Sequence, residues 1–361
     1  MKKFSRFGIF TLTIAITILL ILPAAQAIEV SISGHVNRAI LFADNGNDSD
    51  TFFVDNENSN SRWRFTGSND FGEAWTVGIV WEVEMESNSS DDVDIGDNDD
   101  GLSGDRDGLF TERKMEFYVE HKTFGKLYLG QGSTASDGTS EVDLSGTDVV
   151  TYSGIADMAG GITFRTSDDA EVAAIGDVYS QYDGFSRRDR IRYDTPKFGP
   201  VYFSASYMNG QSWDTAGRFA YEWEGIGKLA AAAHYTGAET VRDNYSQYSG
   251  SFSFLHSSGF NITGAAGTRD FNDAPGRDDG IFYYVKLGFT RGIHAVSVDY
   301  GRAEDVDQND DEFDTVGLGY VINPWKSIQF YGGYRYHTLD RDGVNNIEDI
   351  HAVMIGGRVK F

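Results

Sequence analysis

AWTVGIVWEVEM (residues 74–85) alternates along its whole length: Trp75, Val77, Ile79, Trp81, Val83 and Met85 fall on one side of an extended chain, and Thr76, Gly78, Val80, Glu82 and Glu84 on the other. One side is aromatic and aliphatic, and the other is mostly polar. The same period returns in IFYYVKLGF (281–289), where Ile281, Tyr283, Val285, Leu287 and Phe289 oppose Tyr284 and Lys286. It returns again in SIQFYGGYRYH (327–337), with Ile328, Phe330, Tyr334 and Tyr336 against Gln329, Tyr331, Arg335 and His337. A period of two sustained over such segments is the mark of β-strands with two unlike faces.

Between these segments the connections alternate between tight and long. NDFGE (69–73), TFGK (123–126), PKFGP (196–200), EGIGK (224–228), HSSGF (256–260), TRGI (290–293) and NPWK (323–326) are turn-sized. SNSSDDVDIGDNDDGLSGDRDG (87–108) and RAEDVDQNDDE (302–312) are long and acidic. Short turns at one end and long polar loops at the other describe an up-and-down meander, and closing it removes its edges.

The 361 residues carry a formal charge of −25, with 42 Gly, 25 Phe, 19 Tyr, 6 Trp, 5 Pro and no Cys. Without Cys there is neither a disulfide framework nor a thiolate metal site. The first 27 residues combine Lys2, Lys3 and Arg6 with an apolar run from Phe7 to Leu22 and an Ala25-Gln26-Ala27 exit, which reads as a secretory signal peptide; the other reading is an uncleaved anchor helix. Its loss removes three positive charges and leaves the mature chain, 28–361, near −28. No other stretch approaches the roughly 18 apolar residues of a spanning helix, so a membrane role must be built from strands.

Two closed all-β architectures compete. A soluble barrel or sandwich hides its apolar face inside, whereas a membrane barrel turns an aromatic, apolar face to lipid and keeps a polar lumen. The signal peptide, the short strands and the Tyr and Trp of the apolar face favour the membrane barrel. The strand count turns on 133–186: 18 if AGGITFRTS and AEVAAIGDVYS belong to the wall, 16 if the region is one insertion. The expected fold is a 16-stranded antiparallel transmembrane β-barrel, with 18 strands as the lesser alternative.

SRWRFTGSNDFGEAWTVGIVWEVE (61–84), FGKLYLGQGSTASDG (124–138), RIRYDTPKFGPVYFSASY (190–207) and the terminal VMIGGRVKF (353–361) together resemble the Gram-negative general-diffusion porin family. The resemblance covers essentially the whole mature chain. It implies a 16-stranded barrel in the outer membrane, usually a homotrimer, whose third loop folds into the lumen opposite a basic cluster. Carried onto this sequence, the third loop is 133–186, about 54 residues. It brings Glu141, Asp143 and Asp148 of TSEVDLSGTDVV to a constriction faced by Arg62, Arg64, Arg188, Arg190, Arg192 and His35. Gln131 and His35 stand where the family often has basic residues, which removes positive charge from the constriction. Phe361 matches the terminal aromatic that such proteins present to the outer-membrane assembly machinery.

FSRRDRIRYDTP (185–196) concentrates four arginines in an acidic chain. Arg188, Arg190 and Arg192 share one strand face, as Arg62 and Arg64 do in SRWRF, and arginine in the middle of a lipid face costs roughly 2–4 kcal/mol. Both sets are therefore expected inside, either setting a transverse field against the acidic loop or pinning that loop by wall salt bridges. The expected function is passive diffusion of small hydrophilic solutes and ions through a water-filled channel, mildly cation-selective because of the acidic mouth. A substrate-selective channel with a binding site on the third loop is the alternative.

Other signals point to no further chemistry. The Asp tracts at 91–107 and 304–314 lack EF-hand spacing and read as solvated loops, with divalent bridging to lipopolysaccharide as a minor alternative. The seven His are scattered without a Ser or Asp motif, so the expectation is no enzyme, no metal and no cofactor, a barrel lipase or protease being the remote alternative. No basic, aromatic-interleaved helix suggests nucleic acid as a partner. The expected surroundings are outer-membrane lipid and lipopolysaccharide.

Overall fold

The computed structural model describes residues 28–361 apart from 97–109, 210, 240–243 and 272–273. The expected signal peptide, and most of the acidic tract within 91–107, lie outside the described residues.

The wall begins with β1 (Glu29–Asp44), β2 (Ser49–Asp55), β3 (Arg62–Phe71), β4 (Trp75–Met85), β5 (Phe110–His121) and β6 (Gly125–Ser133). A small hairpin follows, β7 (Thr163–Arg165) and β8 (Glu171–Ala174). The wall resumes with β9 (Arg187–Asp194), β10 (Val201–Met208), β11 (Trp213–Trp223), β12 (Gly227–Glu239), β13 (Asn244–His256) and β14 (Phe260–Asp270). It ends with β15 (Gly280–Arg291), β16 (His294–Glu304), β17 (Glu312–Trp325), β18 (Ile328–Asp340) and β19 (Ile350–Lys360).

Each wall strand pairs antiparallel with its neighbours, and β1 closes on β19 from His35↔Lys360 to Asp44↔His351. Strand β1 pairs with β3 along its first half, Glu29↔Ser68 to His35↔Arg62, and with β2 along its second, Arg38↔Asp55 to Asp44↔Ser49. Strands β2 and β3 are thus two halves of one wall position, interrupted by a 3-10 turn at Glu57–Ser59. The result is a closed barrel of 16 wall positions. The lesser, 18-stranded alternative is corrected here: β7 and β8 pair only with each other, while β6 pairs directly with β9 from Lys126↔Asp194 to Ser133↔Arg187. Residues 134–186 are one insertion.

All seven tight turns read from the sequence join wall strands at the end that also holds the start of β1 and the terminal Phe361. In TFGK, Gly125 adopts φ 86, and a Cβ there would meet Asp194 O at 2.2 Å. Only glycine fits that turn.

The alternation sorts as the sequence proposed. Trp75, Ile79, Trp81 and Met85 of β4 are exposed on the outside, while Glu82 is 1% and Glu84 8% exposed on the inside. On β15, Tyr283, Val285 and Leu287 face out and Tyr284 and Lys286 are buried; on β18, Phe330 faces out and Tyr331, Arg335 and His337 are buried. An exposed apolar exterior over a polar interior inverts a water-soluble core and is the arrangement that lipid requires. The dry nucleus that does exist lies inside the barrel. Val149, Val150, Ile155, Met158, Ile162, Phe164, Tyr179 and Tyr182 of the insertion pack with Phe282 of β15 and Phe313 of β17.

Candidate functional site

Hydroxyl groups on alternate wall positions bind the first part of the insertion. Ser249, Ser251 and Ser253 are successive inward residues of β13. Ser251 Oγ accepts from Val142 N (2.9 Å) and donates to Thr139 O (2.7 Å), Ser253 Oγ accepts from Leu144 N (2.9 Å), and Ser249 Oγ meets Ser140 Oγ (2.6 Å). These bonds stand in for the β-ladder that a chain lying across a sheet cannot form. At the base, Ser136 N and Oγ both donate to Asp214 Oδ2, and Ala135 N donates to Ser206 Oγ. Further on, Thr147 Oγ1 donates to Ser297 Oγ of β16 (2.9 Å). The insertion therefore lies along the β10–β18 side of the interior and reaches round to β1 and β2, where Asn56 Nδ2 donates to Val149 O (2.8 Å) and Leu41 and Val54 join its apolar cluster.

Opposite it remains a cavity of about 540 Å³ lined almost wholly by polar groups. Six of the lining residues are basic (Arg62, Arg64, Arg113, Lys114, Arg187 and Arg269), and six are acidic (Glu57, Glu82, Asp137, Glu141, Asp157 and Asp183). The basic residues of β3 and β5 come from the wall; Asp137, Glu141, Asp157 and Asp183 come from the insertion. A bulge explains one pair: the β4–β5 register slips so that Glu82 faces Lys114 and Val83 faces Glu112, leaving Arg113 as the extra residue. Two neighbours in sequence thereby reach the same cavity.

Within the lining, Arg64 pairs with Glu82, and Arg113 binds Glu82 (2.9 Å) and Glu84 (2.7 Å). Arg62 donates from Nε to Asn60 O (3.0 Å) and from Nη2 to Asn60 Oδ1, and forms no direct ion pair among the described residues, though Glu82 and Glu84 act on it electrostatically. Glu141 accepts from Gln181 Nε2 (2.9 Å); burial and the negative Asp137 push its carboxyl up to about 7. Burial raises Asp183 and Asp157 well above the usual carboxylate range as well, helped by Glu141 and by Glu57 respectively.

Of the residues expected from the sequence, Arg62, Arg64 and Glu141 meet across this cavity. The others lie elsewhere. Arg190 is 4% exposed, paired with Glu116 and donating to Gly130 O and Ser133 O; Arg192 binds Asp194 (2.8 Å) and Thr134 O (2.9 Å) at the base of the insertion. Arg188 is exposed outside the cavity lining, and His35 is held by Asn60 O (2.8 Å). Asp143 turns to the wall and pairs with Lys286, and Asp148 is exposed within electrostatic reach of Arg358 and Lys360. Phe361 is exposed, its backbone bonded to Gly34.

Sequence reading missed Arg113, Lys114, Arg269, Asp137 and Asp183 as lining residues. One signal was available. Adjacent Arg113 and Lys114 break the alternation of an otherwise regular strand, as a bulge does. The alternate serines of SGSFSF (249–254) likewise marked the insertion's bed.

Among the described residues, Glu57, Glu84 and Glu86 hold carboxylate oxygens within 4.8 Å of one another. Asn60 and Arg113 already engage Glu84. Burial and the Glu57 carboxyl push Glu86 up to about 11, so it carries a proton at neutral pH.

A family model described as Gram-negative porin matches residues 15–342. Among solved structures, the chain is similar to an anion-selective porin from Comamonas acidovorans, with 18% identity, a TM-score of 0.66, and coverage of 93% of this chain and 100% of that one. It is also similar to the outer-membrane expressed OmpT of Vibrio cholerae (14% identity, TM-score 0.59, 94% and 100% covered) and to a mutant of Rh. blastica porin (13% identity, TM-score 0.58, 92% and 100% covered). At these identities the likeness is one of fold. No curated protein matches the chain.

Proposed function

The chain belongs to the Gram-negative porin family and forms an outer-membrane channel rather than an enzyme, and from that premise we propose that small hydrophilic solutes and ions diffuse passively through the cavity between β3–β5 and the 134–186 insertion. One observation carries the reading. Arg62, Arg64 and Lys114 stand on the wall, and Asp137 and Glu141 face them from the insertion across a polar cavity. Facing charges of opposite sign orient dipolar solutes and hold water, so solutes that replace water's hydrogen bonds pass and apolar ones are penalised.

The selectivity proposed is mildly cationic. The Comamonas relative is anion-selective by name, but here the lining carries as many acidic as basic residues, and Arg190 and Arg192 are held by Glu116 and Asp194. Burial holds Asp157 and Asp183 well above the usual carboxylate range, so they add little negative charge to that lining, and the cation preference proposed comes from the overall negative charge of the chain at the mouth rather than from the cavity. The outer field is screened within about 10 Å at 0.1 M salt, so the preference grows as salt is lowered. A homotrimer, recognition of the exposed Phe361 during assembly, contact with lipopolysaccharide, and removal of residues 1–27 on export complete the proposal. Reversal potentials in planar bilayers under a salt gradient test it. Stepwise conductance with a small cation preference is expected; no conductance, or strong anion preference, contradicts it.

A further inference from the structure

Lys286 and Arg335 are shut off from solvent, yet each places a full charge on the inner face of the wall. They stand in one row across four strands: Lys286 is paired with Asp299, Asp299 with Gly317, and Gly317 with Arg335. Lys286 Nζ pairs with Asp143 and donates to Thr151 O (2.6 Å) and Thr147 Oγ1 (3.2 Å). Arg335 donates from Nη1 to Asp299 Oδ1 (3.0 Å) and from Nη2 to Tyr152 O (3.3 Å). Both cations thus reach one stretch of the insertion, 143–152. A buried charge is tolerable only while its partners are in place, so the position of that stretch is tied to these two side chains.

The same stretch rests on glycine. A Cβ at Gly319 would come within 2.6 Å of Thr151 Oγ1, and one at Gly333 within 2.5 Å of Val150 Cγ2. Thr151 and Val150 are β-branched and stiff at χ1, so neither swings aside cheaply. At Gly301 the nearest atom is Ile155 Cδ1 (2.3 Å), the mobile end of a longer side chain. By contrast, the neighbouring Gly332 has nothing within 3.8 Å of its Cβ position.

We propose that Lys286 and Arg335, acting with Gly319 and Gly333, are positioning residues that set how far the insertion stands off the wall and thereby the width of the passage opposite. The proposal rests on reading the cavity as the passage. The cations hold the stretch down, and the glycines leave the room it occupies. A methyl group added beneath it lifts the insertion toward Arg62 and Arg64 and narrows the passage. Loss of a cation frees the stretch to fluctuate.

Single-channel recording on the purified full chain separates these effects. If the unsubstituted chain does not conduct, the functional reading fails, whatever the roles of these residues. Given a conducting chain, G319A/G333A is expected to lower single-channel conductance by about twofold, Lys286→Met to add open-channel noise and substates, and Gly332→Ala to leave the current unchanged. A folded G319A/G333A with undiminished conductance overturns the proposal, as does a folded Lys286→Met with quiet, unaltered current. Should Lys286→Met not give a closed barrel, the glycine pair decides alone.

Discussion

On the β13–β18 side of the interior, Lys286 and Arg335 are sealed beneath the insertion and each holds a carboxylate and a backbone carbonyl. On the β3–β5 side, Arg62, Arg64 and Lys114 stand over a polar cavity, and the Arg64 side chain is 40% exposed although it pairs with Glu82. Residue type is nearly the same on the two sides; the dielectric is not. In the dry half a cation can only fix structure, because its partners replace its water. In the wet half the same charge is screened, contributes little to stability and remains available to a passing ion. The comparison teaches that arginine and lysine on an inner face do not by themselves mark a selectivity site; what covers them does.

The largest expected effect breaks the dry half. Lys286→Met leaves Asp143 buried without its partner and should cost roughly 3–5 kcal/mol, read as a lowered unfolding temperature of the detergent-solubilised barrel. Ser251→Ala should cost less, about 1–3 kcal/mol, because it strands the Val142 N–H beneath the insertion; the same thermal measurement checks it. In the wet half, R62A/R64A leaves the buried Glu82 still held by Arg113 and should cost about 1–2 kcal/mol, yet shift the reversal potential toward stronger cation preference. A large loss of stability there would erase the distinction between the halves.

The smallest effect sharpens the wet half by pH. Glu141 sits near 7, raised by burial and by Asp137, with Arg187 and Arg113 acting the other way. A carboxyl in this range is neutral below its pKa and negative above it. Cation preference should therefore fall as pH drops from about 8 to about 6, and Glu141→Gln should flatten that response in the same reversal-potential measurement.

Most of the fold was legible in the sequence because a closed barrel imposes one rule on every strand: alternate residues meet opposite solvents. Trp75, Ile79 and Trp81 against Glu82 and Glu84 express that rule without help from distant residues. Arg62, Arg64 and Glu141 were legible for the same reason, each lying on an inward position or on the acidic insertion. The division of labour among the other arginines was not. Alternation places Arg190 and Arg192 inside with Asp194 on the same face, but only the neighbouring β5 reveals that Glu116 occupies Arg190. Asp143 was unreadable likewise, since its partner Lys286 lies 143 residues further along the chain and meets it only when the insertion lies down. The break between β2 and β3 escaped notice because the 3-10 turn at Glu57–Ser59 has no hydrophobic period of its own.

The chain has no cysteine, so a single introduced thiol reports its own surroundings. Arg64→Cys and Lys286→Cys, each reconstituted in planar bilayers and treated with a charged, water-soluble thiol reagent, test the wet and dry halves side by side. The account predicts a rapid step in channel current for Arg64→Cys and none for Lys286→Cys in barrels shown to be folded. Equal reaction at both positions, or reaction at 286 alone, would contradict it.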